Sequence, residues 1–169
     1  FGSQAVILSV EAKKISEKKW EAYVETGREK TNLDVIDWVK KAADFGAGEV
    51  LLTSVDQEGT RKGFDNELIR SVSHSVNIPV IASGGFGDTK NIKEAEKAGA
   101  NGVAIAHMLH YKKMTIREIR QYAIDNEIKV CNIMTCQLSG DHRAIDGAVG
   151  ARLLKEFKSL IENPVKMIV

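Results

Sequence analysis

Cysteine, proline and long apolar runs are all scarce in this sequence. Its 169 residues include two prolines and two cysteines, and four residues separate Cys131 from Cys136. That spacing fits neither a disulfide framework nor a paired Cys-x-x-Cys metal site. No apolar run approaches the roughly 18 residues of a membrane span, and the first residues lack the layout of a signal peptide. We therefore expect a cytoplasmic protein without a metal site, and we expect Phe1, which is not a methionine, to mark a fragment boundary.

An excess of charge of either sign is also lacking. The chain carries 24 basic and 23 acidic residues, for a formal net charge of +1. No whole-chain field would steer such a protein toward nucleic acid or anionic lipid, so neither is expected as a partner. A hydrophobic content of 43% in a chain of this length is enough for a globular core.

Apolar segments alternate with polar, glycine-marked segments along the chain. Residues 5–10 form a β-branched apolar run, typical of a buried strand, that ends at the carboxylate of Glu11. Residues 12–30 are polar, but an alternation that includes Trp20 predicts a hairpin insertion before Gly27. Three more strands are predicted at residues 49–53, 79–82 and 102–106, and helices from a cap at Asn32 or Asp34 to near Gly46, over about 66–76, and over 89–98.

Four strand–helix units in series predict an α/β fold with parallel strands and right-handed crossovers. Functional residues of such folds lie just beyond the C-terminal ends of the strands. Glu11 and residues 53–60, 83–87 and 106–108 are therefore expected to converge on one face. The first and last strands of this sheet would lack outer neighbours, which is an aggregation hazard unless another element covers them. We expect a homodimer, or a complementing partner that supplies the missing strands.

Carboxylates and hydroxyls at the first two strand ends are candidates for acid–base catalysis and ligand binding. Glu11 is delivered to the mouth of the site by an apolar strand, where partial desolvation favours proton transfer; a structural pairing with Lys13 is the alternative. Asp56 and Glu58 either orient ligand hydroxyls and handle a proton or belong to a solvated loop. Thr53 is a hydroxyl donor at the same strand end.

The last two strand ends predict an anion site. Gly84 and Gly85 lie in the turn SGGFG, where missing Cβ atoms let backbone N–H groups approach an anion near the positive end of the following helix. The alternative is an ordinary turn that needs glycine. Ala106 and His107 are expected beside this turn, which together suit a phosphate. His107 is either an acid–base group or a packing residue.

These motifs together resemble a known enzyme family. The segments FGSQAVILSVEAKK, GAGEVLLTSVDQEGT with GFD, IPVIASGGFGD and GVAIAHMLHY are similar to the second half of the cyclase subunit of imidazole glycerol phosphate synthase, from Phe1 to about Val130. The segment AHMLHYKKMTIREIR further resembles variant cyclases linked to amidation of surface-polysaccharide sugars. The resemblance implies the C-terminal half of a (β/α)₈ TIM barrel and a lyase that cyclises a ribulosyl phosphate with ammonia from a glutaminase subunit.

The resemblance also implies roles for particular residues. The family uses two catalytic aspartates, one in each half of the barrel; the second matches Glu11, a longer carboxylate, and the first belongs to strands that these residues do not include. Thr53 matches a ligand-binding threonine, and Glu58 replaces a loop aspartate. The distal phosphate site is matched by three residues, namely Gly84, Gly85 and His107. We therefore expect a half-barrel that binds a phosphorylated ribotide-like ligand without a cofactor, and that is not competent for cyclisation alone.

Residues 131–169 change in character, so two domains are predicted, 1–130 and 131–169. The segment MTCQLSGDHRAIDGAVGARLLKEFKSLIENPVKMIV resembles the C-terminus of dihydrolipoamide acyltransferases. By that resemblance His142 is the general base toward coenzyme A, the cofactor under this alternative. The tail's own pattern predicts a strand at 134–138, a loop and an amphipathic helix over about 147–161. A remnant of an acyltransferase and a non-catalytic half-barrel scaffold are the alternatives to the cyclase-like function.

Overall fold

One mixed sheet with helices packed against it forms the described part of the chain, residues 6–128 of the computed structural model. The strands are β1 Ile7–Ser16, β2 Lys19–Val24, β3 Glu29–Asp34, β4 Glu49–Ser54, β5 Val80–Ser83 and β6 Gly102–Ala104. The helices are α1 Val35–Asp44, α2 Asn66–Ser73, α3 Lys90–Lys97, α4 His107–His110 and α5 Ile116–Asp125. The sheet order is β3-β2-β1-β4-β5-β6.

Four of these strands are parallel neighbours, as the alternation of strands and helices predicts. β1 pairs with β4, β4 with β5 and β5 with β6, all in parallel. The fold is therefore α/β, with four βα units compatible with part of a TIM barrel. The predicted hairpin insertion is also present, because β2 and β3 add two antiparallel strands beside β1.

The first strand is longer than its apolar run predicts. β1 continues past Glu11 to Ser16, because its second half pairs with β2 in an antiparallel ladder that includes Lys14 opposite Trp20. The prediction that the strand ends at Glu11 is wrong, although the parallel ladder with β4 does stop one residue later, at Ala12. The expectation of an unpaired first strand is wrong for this half of β1, because β2 covers it.

Two other elements are shorter than predicted. β6 stops at Ala104, since only three of its residues pair with β5. α2 stops at Ser73, and the Ser75 hydroxyl donates a hydrogen bond to the Val72 carbonyl oxygen at 2.8 Å. Side-chain bonds of this kind compete with helix propagation, and Pro79 close behind also disfavours helix.

The hydrophobic core lies between one face of the sheet and the helices. Alternate residues of β1 and β4, such as Val10 and Leu52, pack against α1 and α2 together with Trp20, which is 1% exposed. A second cluster joins Phe86 and Met108 to the helices at the β6 side. Because side chains alternate along a strand, the residues between these core positions lie on the opposite face of the sheet.

Helix α5, which the sequence patterns above do not predict, begins at a capping box. The Thr115 hydroxyl oxygen accepts from the Glu118 N–H at 3.2 Å, and the Glu118 carboxylate accepts from the Thr115 N–H at 2.7 Å. Hydrogen bonds from the Thr115 side chain and backbone hold the pKa of Glu118 below its ordinary value. Such reciprocal bonds satisfy N–H groups that have no partner within the helix.

Replacing Asp34 with alanine is expected to lower the free energy of unfolding by about 1 kcal/mol, the usual effect of losing an N-cap. Of the two predicted caps, Asp34 is the one used: its Oδ1 accepts from the N–H groups of Ile36 at 2.9 Å and Asp37 at 3.1 Å. Asp44→Ala, at the other end of α1, is the control and should change that free energy by less than about 0.5 kcal/mol. Equal urea midpoints for the two variants would contradict the capping role.

Candidate functional site

A row of half-buried residues crosses the four parallel strands on the face opposite the helices. Glu11 of β1 is in register with Thr53 of β4, Thr53 with Ser83 of β5, and Ser83 with Ala104 of β6. Glu11, Thr53 and Ser83 are each partly exposed. The row lies at the C-terminal end of the parallel ladder, where α/β folds carry their sites.

Apolar residues lie one step below this row. Leu51 of β4 is in register with Ile81 of β5, and both side chains are partly exposed on the same face. Ser9 of β1 and Gly102 of β6 complete the second row. A carboxylate and two hydroxyls therefore lie above a row that is apolar at its centre, an arrangement typical of ligand sites with a few polar groups that fix orientation.

The carboxylate of Glu11 is held by the turn between β2 and β3. Its Oε2 accepts a hydrogen bond from the Gly27 N–H at 2.6 Å. Gly27 has φ +75°, and a Cβ there would lie 2.8 Å from Val55 Cγ1, so glycine allows the turn to pack this closely. Lys13, the alternative structural partner of Glu11, has its Nζ over the Tyr23 ring, 5.2 Å from the centroid.

Asp56 is connected to the hairpin rather than directed only to solvent. Its Oδ2 accepts from the backbone N–H of Lys14 at 2.7 Å. The Lys14 ammonium contacts the Glu67 carboxylate at 2.6 Å and lies 5.5 Å from the Trp20 ring centroid. This hydrogen-bonded pair raises the pKa of Lys14 and lowers the pKa of Glu67. At least one oxygen of Asp56 is therefore engaged in fixing the loop between β4 and α2.

The glycine turn after β5 packs directly on the loop after β4. Gly84 has φ +90°, and a Cβ there would lie 2.7 Å from the Ser54 carbonyl oxygen and 3.3 Å from the Glu58 Oε2. Gly85 has φ +97°, and a Cβ there would overlap the Gly63 carbonyl oxygen. The Gly63 N–H donates to the Gly85 carbonyl oxygen at 2.8 Å. The turn thus needs glycine for packing, and the exposed Glu58 lies beside it.

The start of α3 is already occupied by side chains of the protein. The Asp88 Oδ1 accepts from the Lys90 N–H at 2.9 Å, and the Asn91 Oδ1 accepts from the N–H groups of Gly87 and Asp88 at 3.2 and 2.9 Å. The Asp88 carboxylate thus already binds one N–H group at the positive end of this helix, and the expectation that an anion binds near this end stays a prediction.

That neighbouring strand end carries Ala106 and His107. Ser83 and Ala104 are paired at the ends of adjacent strands; Gly84 follows Ser83 directly, and Ala106 comes two residues after Ala104. Ala106 is exposed, and His107 begins the four-residue helix α4. The His107 ring lies 4.6 Å from the Tyr111 ring, centroid to centroid, which is the packing alternative for this side chain. The His107 backbone comes three residues after Ala104, the last residue of the row.

The structure thus brings Glu11 and Thr53 together in one row, and it brings Glu58 to the glycine turn. His142, the candidate base of the tail, lies outside the described residues. No group of three or more His, Cys, Asp and Glu side chains within residues 6–128 could hold a metal ion. Over the same residues, no helix is long and apolar enough to cross a membrane.

Comparison with known families identifies the chain. The family described as "Histidine biosynthesis protein" matches residues 1–115, more than half of the chain. The chain belongs to this family. A second family, described as "2-oxoacid dehydrogenases acyltransferase (catalytic domain)", matches residues 100–169, which is less than half of the chain and overlaps the first match.

Relatives within the histidine biosynthesis family cover most of the chain. The chain is 46% identical over 133 residues to the imidazole glycerol phosphate synthase subunit HisF of Endomicrobium trichonymphae, covering 79% of this chain and 51% of that protein. It is likewise 46% identical over 133 residues to the subunit HisF of Prochlorococcus marinus (strain NATL1A), covering 77% of this chain and 52% of that protein. The chain therefore spans about half the length of these relatives.

Two residues of this family member contribute to the site without having been predicted. Gly27 supplies the N–H that binds Glu11, and Asn91 binds the end of the glycine turn. An asparagine near a helix start is a common capping signal, so Asn91 could have been suspected. The contact of Gly27 joins residues 16 positions apart through a hairpin, and no local pattern in the sequence reports it.

Proposed function

We propose that this chain is the phosphosugar-binding half-barrel of an imidazole glycerol phosphate synthase cyclase. The observation that carries the proposal is the row from Glu11 to Ala104, which puts one carboxylate at one end and the glycine turn near the other. Membership of the histidine biosynthesis family and the identity to HisF subunits support it. In the full-length enzyme the reaction would be ammonia-dependent cyclisation of a ribulosyl phosphate intermediate, in the cytoplasm and without a cofactor.

The phosphate of the ligand would bind at the ends of β5 and β6. Gly84 and Gly85 carry no side chain of their own and are buried against the loop after β4, so the phosphate would approach the N–H groups at the edge of this turn, where Ala106 and His107 follow the adjacent strand. Backbone N–H groups and the small partial charges at such turns suit a phosphate group. In this role His107 contributes its backbone, which is compatible with the packing of its ring against Tyr111.

Proton transfer would be the task of Glu11, and ligand orientation that of its neighbours. Glu11 and Thr53 lie on adjacent strands in register, so both can reach one ligand. The Gly27 N–H fixes the orientation of the carboxylate, which a general acid or base requires. Asp56 and Glu58 would contact ligand hydroxyls from the loop after β4, Glu58 with the freer side chain.

Partners would supply what this half-barrel lacks. The family's second catalytic carboxylate would come from a complementing half-barrel, or a second copy would pair with the free strand edges. Residues 7–10 of β1 pair with β4 on one side, whereas the antiparallel ladder with β2 on the other side begins only at Glu11. Unpaired backbone at such an edge favours strand addition. A glutaminase subunit would supply ammonia to the assembled enzyme.

A second candidate function concerns residues 131–169. Its basis is the match of an acyltransferase family to residues 100–169, and it would be a coenzyme A-dependent transferase remnant with His142 as its general base. The rest of an acyltransferase domain would be needed for turnover. Coenzyme A is therefore the ligand that distinguishes this candidate from the cyclase-like function.

Inorganic phosphate is expected to raise the thermal stability of the full chain. A ligand that binds only the native state stabilises it by mass action, by about 2.7 kcal/mol at a hundredfold excess over its dissociation constant. The measurement is the unfolding midpoint across a phosphate titration, with sodium chloride at equal ionic strength as the control and coenzyme A as a separate arm. A midpoint that responds to phosphate no more than to chloride would contradict the proposed function.

A further inference from the structure

The two loops at the phosphate end form a single packed unit, called here the paired loops: residues 55–65 after β4 and residues 84–89 after β5. Their backbones meet at Gly85, whose carbonyl oxygen accepts from the Gly63 N–H at 2.8 Å. They meet again at Gly87, where a Cβ would overlap the Arg61 carbonyl oxygen. With backbone against backbone at these points, neither loop can shift without the other.

Asn91 closes this unit from the second residue of α3. Its side chain is buried, 5% exposed, and both of its polar atoms are engaged. The Oδ1 accepts from the N–H groups of Gly87 and Asp88, and the Nδ2 donates to the Glu94 carboxylate at 2.9 Å. A Cβ on Gly63 would lie 3.1 Å from the Nδ2, so the amide also contacts the other loop.

We propose that Asn91 is a positioning residue for the phosphate site, which rests on the function proposed above. One amide group sets the path of the chain at Gly87, the last residue of the glycine turn, and at Asp88. That path determines how Gly85 meets Gly63, and hence where the backbone donors of the turn point. Anion sites built from backbone groups need this kind of support, because their donors have no side-chain torsion to adjust.

Loss of the amide would leave the N–H groups of Gly87 and Asp88, at the end of the turn, without their partner. Gly87 is partly exposed and Asp88 is exposed, so water would replace the lost amide oxygen, and the turn would shift to admit it. Such a shift would move Gly87 away from Arg61 and change the approach of Gly85 to Gly63. Phosphate affinity would fall although Asn91 itself does not touch the anion.

Asn101 provides a matched control at the opposite end of β5. Its Oδ1 accepts from the Val80 N–H at 3.0 Å, so Asn101→Ala also removes a side-chain bond to the backbone, but far from the paired loops along the strand. We expect Asn91→Ala to weaken the binding of inorganic phosphate to the full chain about tenfold, or 1.4 kcal/mol, and Asn101→Ala less than twofold. Titration calorimetry measures both dissociation constants.

A rescue pair separates positioning from simple loss of stability. Asn91→Asp keeps an acceptor for Gly87 and Asp88 but sets a second oxygen against the Glu94 carboxylate, so phosphate binding should weaken. Adding Glu94→Gln restores a donor opposite that oxygen, and the double variant should bind phosphate within about twofold of the unmodified chain. This comparison decides the question if Asn91→Ala does not fold.

The outcomes are distinguishable. If the unmodified chain does not bind phosphate, the proposed function is overturned, and the positioning role with it. If the unmodified chain binds but Asn91→Ala and Asn101→Ala have equal dissociation constants, the positioning role alone is overturned. Equal constants for Asn91→Asp with and without Glu94→Gln would overturn it as well.

Discussion

Gly85→Ala is expected to lower the free energy of unfolding by about 4 kcal/mol and to abolish phosphate binding at millimolar concentrations. Two effects add: a φ of +97° disfavours any residue with a Cβ, and that Cβ would overlap the Gly63 carbonyl oxygen. The overlap is with backbone, which cannot rotate away as a side chain would. Urea denaturation measures the first effect and titration calorimetry the second.

Gly59→Ala is the matched control for this prediction. Gly59 lies in the loop after β4 with φ +71°, but a Cβ there would have no heavy atom within 4 Å. Its replacement therefore carries the conformational cost alone, about 1 kcal/mol, and should leave phosphate binding intact. If Gly85→Ala were no more destabilising than Gly59→Ala, the close packing of the paired loops would be wrong.

Glu11→Gln is expected to reduce cyclisation at least about a hundredfold while the chain remains folded and still binds phosphate. Glutamine keeps an oxygen that can accept from the Gly27 N–H, so the hairpin turn stays in place and only the ionisable group is lost. The chain covers only about half the length of its relatives. Turnover is therefore measured after co-expression with the half of the Endomicrobium relative that this chain does not match, with an ammonium salt as nitrogen donor.

Glu21→Gln serves as the control on the same hairpin. The Glu21 Oε1 accepts from the Asn32 N–H at 2.7 Å, so this carboxylate also binds a backbone donor, but it lies on β2, outside the row. Its replacement should leave turnover unchanged within about twofold. Equal turnover for Glu11→Gln and Glu21→Gln would remove Glu11 from the chemistry and leave it a role in holding the turn.

The order of strands and helices could be predicted because its signals are local. Apolar runs of four to six residues, a cap such as Asp34 and glycines after helices each act within a few residues of chain. The length of β1 could not be predicted in this way. It depends on pairing with β2, in which polar residues such as Lys14 stand opposite Trp20. The apolar and polar pattern of the sequence does not report such cross-strand pairing.

The candidate site could likewise be predicted from the sequence only in part. The rule that sites lie at strand ends selects Glu11 and Thr53, and their register then follows from parallel pairing. This rule does not predict the residues that support the site. Gly27 and Asn91 act through hydrogen bonds between a side chain and a backbone N–H group, and only the folded loops bring these groups together. The bond from the Lys90 N–H to Asp88 at the start of α3 likewise appears only in the structure.

Under the proposed function, the row from Glu11 to Ala104 would also select ligands by their length. Its four residues stand on adjacent strands, and neighbouring strands are about 4.8 Å apart, so the row spans at most about 14 Å. A ligand anchored by its phosphate near β6 touches the carboxylate on β1 only if its far end extends over most of that span. Small phosphorylated metabolites such as trioses would bind at the phosphate end of the row without reaching Glu11. Molecular length alone would then distinguish ligands that only bind from ligands that can also react.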